Sequence, residues 1–120
     1  MAQAVPLRIG HASKAERGQT LAARRAPRPV KAAPSRLVPG LQPSEALLAV
    51  VRDCADHLLA NETGVLAGRD AEFLHQARVA LRRLRSALAV FAGAVQLQLP
   101  APVTELIFDA GNTLGAARDW

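Results

Sequence analysis

From Gln42 onward the chain repeats apolar residues at three- and four-residue steps. Leu47, Leu48, Val51, Ala55, Leu58, Leu59, Val65 and Leu66 keep this spacing, the mark of an amphipathic helix. Pro43-Ser44-Glu45 predicts its start, with Ser44 as N-cap and Glu45 in the first turn, and Gly68 predicts its end. Asp70 then caps a second helix whose first turn carries Glu72. Here Phe73, Ala77, Ala80, Leu81, Leu84, Ala87, Leu88 and Phe91 fall on one side. Pro100 and Pro102 interrupt the pattern, and Pro102 suits the start of a third helix running from Val103 to about Ala117. Leu106, Ile107, Ala110 and Leu114 make its apolar stripe, while Gly111 and Gly115 weaken it and allow a close approach or a bend. No stretch alternates as a strand does. The fold class expected is all-α, a partial helical bundle of about three helices.

Residues 1–40 read differently. Pro6, Pro27, Pro29, Pro34 and Pro39 fall here, and Arg24–Pro34 has the composition of an extended linker. A short helix within 13–25 is expected, with Ser13 as N-cap and Glu16 three residues on, the spacing of a capping box. The division is therefore a basic, proline-rich arm over 1–40 and a helical part over 41–120.

Composition narrows the classes. A chain of 120 residues makes one small domain, and 50% hydrophobic residues argue against global disorder. Aromatics at 3% suit close-packed helices better than a sheet. The single cysteine, Cys54, forms no internal disulfide and reads as buried filler. With three scattered histidines it offers no zinc spacing, so no metal or cofactor is expected, and a reducing cytoplasm is the simplest compartment. The longest apolar run, Ala87–Val95, is too short to span a bilayer. The arm is Arg-rich and acid-poor like a transit peptide, but its prolines break any amphipathic run. Three helices in about 80 residues bury little surface, so further helices or another chain are expected to cover the exposed stripes.

The net charge of +5 is unevenly placed. Residues 1–40 hold eight basic residues against one acid, a net of +7, whereas residues 41–120 hold seven against nine, a net of −2. An anion site in the helical part must therefore come from local arrangement. The second helix supplies one. With His75 at zero on the helical wheel, Arg82 lies about 20° away, Arg78 about 60° and Arg85 about 80°, all opposite the apolar side. Arg83 projects to a flank. Like charges three and four residues apart destabilise a helix by a few tenths of a kcal/mol per pair, and Glu72 is the only acid between Asp70 and Glu105. Arg-rich helix faces are ordinarily just solvated. An anion on this face would offset the repulsion, and guanidinium forks suit phosphate. The ridge spans roughly 15 Å, too long for one phosphate and suited to a chain of them. His57 is expected to face solvent.

The string from Phe73 to Leu88, with His75, Arg78 and the Arg82-Arg83-Leu84-Arg85 cluster, resembles the signature of the CHAD domain, the conserved histidine α-helical domain. Asn61-Glu62 upstream and Leu114-Gly115-Ala116-Ala117-Arg118-Asp119 downstream resemble its flanking motifs in the same order. The resemblance covers residues 41–120, the first part of such a domain. It implies two pseudo-symmetric helical bundles around a basic groove, here with the second bundle absent. It also implies a non-catalytic module binding inorganic polyphosphate through His75, Arg78, Arg82 and Arg85, with Arg118 from the third helix and Arg83 as a further contact. Ser13-Lys14-Ala15-Glu16-Arg17-Gly18 is similar to the last segment of the CYTH domain that often precedes CHAD. CYTH's acidic metal motif and tunnel strands are missing, so triphosphatase activity does not carry over. The expectation is a fragment of a CYTH–CHAD protein, cytoplasmic, at polyphosphate granules, and needing no membrane. Two rival expectations stand beside it: nucleic-acid binding by the basic arm, and an inactive truncated remnant.

Overall fold

The computed structural model describes residues 13–23, 26–96 and 99–116. Four helices follow one another: α1 (Lys14–Ala22), α2 (Pro43–Leu66), α3 (Ala71–Val95) and α4 (Ala101–Ala116). The described residues contain no strand, as an all-α helical bundle requires.

Local chemistry sets most of the boundaries. Ser13 Oγ accepts from the Glu16 amide at 3.2 Å and Glu16 Oε2 accepts from the Ser13 amide at 2.7 Å, so the capping box of α1 is closed on both sides. Those bonds hold the Glu16 carboxyl below its ordinary value. The start of α2 differs from expectation. Its N-cap is Gln42, whose amide donates to Glu45 Oε2 at 2.9 Å, and Ser44 lies inside the first turn. Pro43 fits at the first helical position, where no amide hydrogen is needed. At the other end, Gly68 takes φ +58° and donates to the Val65 carbonyl, while the Arg69 amide donates to Gly64. These two bonds close a Schellman turn that only a residue tolerant of positive φ completes cheaply. Asp70 Oδ1 accepts from the Glu72 amide at 2.9 Å and begins α3. The Pro100 carbonyl accepts from Val103 and Thr104 and begins α4.

The core lies between α2 and α3, and α4 packs against the far part of α3. From α2 come Leu47, Cys54, His57, Asn61 and Gly64; from α3, Phe73, Gln76, Ala77, Ala80, Leu81 and Ala87. Leu84, Leu88 and Phe91 are half-buried on the side expected of them. Leu48, Leu66 and Leu106, counted with the apolar stripes in sequence, are exposed instead. The α2 stripe is narrower than a list of its leucines suggests and includes two polar residues. Cys54 is buried as expected, and burial pushes its thiol up, an effect the nearby Arg83 charge partly offsets.

His57 is a correction. It is buried, because the irregular segment 26–38 lies across α2 and α3. The Val30 amide donates to Asn61 Oδ1 at 3.0 Å, and Asn61 Nδ2 donates to the Val30 carbonyl at 2.9 Å. His57 Nε2 lies 2.9 Å from the same carbonyl and 3.1 Å from Gln76 Oε1. Gln76 in turn donates to Glu72 Oε1 at 2.6 Å. Two acceptors face His57 Nε2, so that nitrogen carries the hydrogen, and Nδ1 is buried with no partner among the described residues. Segment 26–38 is thus a strap, fastened to α2 at Val30.

Candidate functional site

The ridge expected on α3 is present. His75, Arg82 and Arg85 are exposed and Arg78 is half-buried. Together with Val79, the buried Leu81 and Gly111 of α4, they line an open groove of about 560 Å³. The 3.6-residue repeat brings the four basic side chains into register because the apolar side of α3 is consumed by α2 and α4. Their combined length along the axis is about 15 Å.

Electrostatics favour an anion there. Among the described residues the lining contains four basic side chains and no carboxylate. Glu72, the acid nearest in sequence, is engaged by Gln76 in the network beneath the strap. Guanidinium groups gathered without acids keep both their charge and their planar donor forks available.

Helix α4 conditions one of these groups. The Arg85 guanidinium carbon lies 4.9 Å from the centroid of the Phe108 ring on α4. The same side chain passes Gly111, where an added Cβ would stand 2.9 Å from Arg85 Nη1. Gly111 is expected to allow a close helix approach or a local bend; what passes it is the Arg85 side chain.

Arg83 stands apart from this groove. Its Nη2 donates to the Ala33 carbonyl at 3.0 Å, fastening the strap at a second point, in keeping with its flank position on the wheel. Arg118 lies outside the described residues, as do Arg24 and Arg25 of the arm. Sequence reasoning passed over Gln76, Gly64 and Phe108. Gln76 interrupts the apolar side of α3, and a polar residue at a core position signals a buried bonding network. Gly64, buried near the end of α2, would have signalled a close contact in the same way.

No described helix is long and apolar enough to cross a membrane. No curated protein and no solved structure matches the chain. The family model of the CHAD domain matches residues 49–120, which include most of α2, all of α3 and all of α4. That match spans more than half of the sequence and contains the entire basic ridge, and the chain therefore belongs to the CHAD domain family, a family associated with polyphosphate binding.

Proposed function

We propose that the chain is a non-catalytic binding module for inorganic polyphosphate, with His75, Arg78, Arg82 and Arg85 taking successive phosphates along the groove of α3. The observation that carries this reading is the grouping of those four side chains in one groove without a described carboxylate. Each arginine offers a planar pair of donors to a phosphate, and the regular rise of the helix repeats that offer along the polymer. Binding displaces counterions, so affinity falls as salt rises.

The test compares long-chain polyphosphate binding by wild type and by an Arg78→Ala/Arg82→Ala double variant, with helicity checked by circular dichroism. Losing two charge-assisted contacts should weaken binding at least tenfold and lower the salt slope by about two. Equal affinities would defeat the assignment. Nucleic-acid binding through the arm is separated from it by replacing Arg28, Lys31 and Arg36, all exposed, with Gln. Deleting the arm is the poorer experiment, since it uncovers Asn61 and His57. Polyphosphate binding that survives the Gln substitutions but is lost in the α3 double variant favours contacts on α3 over those three arm residues.

A further inference from the structure

We propose that Phe108 and Gly111 of α4 are positioning residues that set the Arg85 guanidinium on the α4 side of the groove. The inference rests on the reading of that groove as a phosphate site. An exposed arginine on a helix surface samples many rotamers, and ordering one on binding costs affinity. Here two features of α4 restrict Arg85 beforehand. The Phe108 ring lies under the guanidinium at 4.9 Å, and Gly111 leaves open the space through which Nη1 passes. A carboxylate would order the same group by consuming its donors and cancelling its charge. A ring face does neither: it contacts the guanidinium plane and leaves the five N–H groups at its edge free for phosphate oxygens. The helix opposite the ridge thus prepares Arg85 without neutralising it.

Polyphosphate titrations of five variants test this. Phe108→Leu should bind about two- to fivefold more weakly, as loss of an exposed cation–ring contact implies, and Phe108→Trp should restore binding. Phe108→Leu should cost nothing further when Arg85 is already Ala. Gly111→Ala should bind more weakly while melting no lower than wild type, because alanine favours the helix and its Cβ meets only the movable end of Arg85. A merely structural role would lower both together. The free protein gives an independent reading by NMR: ring current should shift the Arg85 side-chain resonances upfield, and Phe108→Leu should abolish that shift. Absence of the shift overturns the positioning role, as does a Phe108→Leu loss that persists in the Arg85→Ala background. If wild type fails to bind polyphosphate yet shows the shift, the phosphate reading falls and the positioning of Arg85 stands.

Discussion

Replacing Gly64 by alanine should destabilise this protein, against the usual effect of that change in a helix. Helix propensity alone favours alanine by up to about 1 kcal/mol. At Gly64, however, a Cβ would stand 2.5 Å from Phe73 Cδ2 and closer still to Cγ and Cδ1. The ring has nowhere to swing, since Phe73 is only 2% exposed. Overpacking costs about 1–3 kcal/mol and a clash with three ring atoms belongs in the upper part of that range, so after the propensity gain the net loss expected is about 1–2 kcal/mol. For a helical unit of this size that lowers the melting temperature by about 5–15 °C. Thermal and urea melts followed at 222 nm measure it. Gly93→Ala is the matched control: Gly93 is exposed on α3 with nothing near its would-be Cβ, so its melting temperature should rise. Phe73→Leu should also cost less in the Gly64→Ala protein than in wild type, because it opens the space the new methyl needs. A Gly64→Ala protein that melts at or above wild type would refute the α2–α3 contact.

Asn61→Ala removes both side-chain bonds to the Val30 main chain, at a cost of about 1–3 kcal/mol. Hydrogen exchange at the Val30 amide should accelerate and protease cleavage within 26–38 should increase; unchanged protection would show that Asn61 does not hold the strap. The raised Cys54 thiol sets an alkaline limit. The folded state keeps the proton longer than the unfolded chain, so stability is complete below the ordinary thiol value, roughly 8.5, and declines as pH rises through the folded value. Urea melts between about pH 8 and pH 10 should show a decline that Cys54→Ala lacks, and parallel profiles would contradict it.

Features set by neighbours in sequence were legible. The capping box at Ser13 and Glu16, the Asp70 cap, the Gly68 turn and the angular grouping of His75, Arg78, Arg82 and Arg85 all depend on residues within a few turns of one another. The cap of α2 lies at Gln42, two residues before Ser44, which is the expected position because serine is a favoured N-cap and glutamine is not. The burial of His57 is hidden from its local sequence for a different reason. Its partners are Val30, 27 residues upstream, and Gln76, 19 downstream, and no local pattern announces a strap arriving from outside the helix. The α4 contribution to Arg85 was equally hidden, since a ring 23 positions away meets the guanidinium only after α3 and α4 have packed.

The grip on Val30 uses its main-chain N–H and C=O and leaves its side chain partly in water. Recognition of that kind is blind to side-chain identity. Position 30 can therefore drift through most amino acids while the attachment survives, with proline the exception because it lacks the hydrogen that Asn61 accepts. The specificity of the fastening therefore sits in Asn61 and His57 of α2, and not in the side chain of the segment they hold.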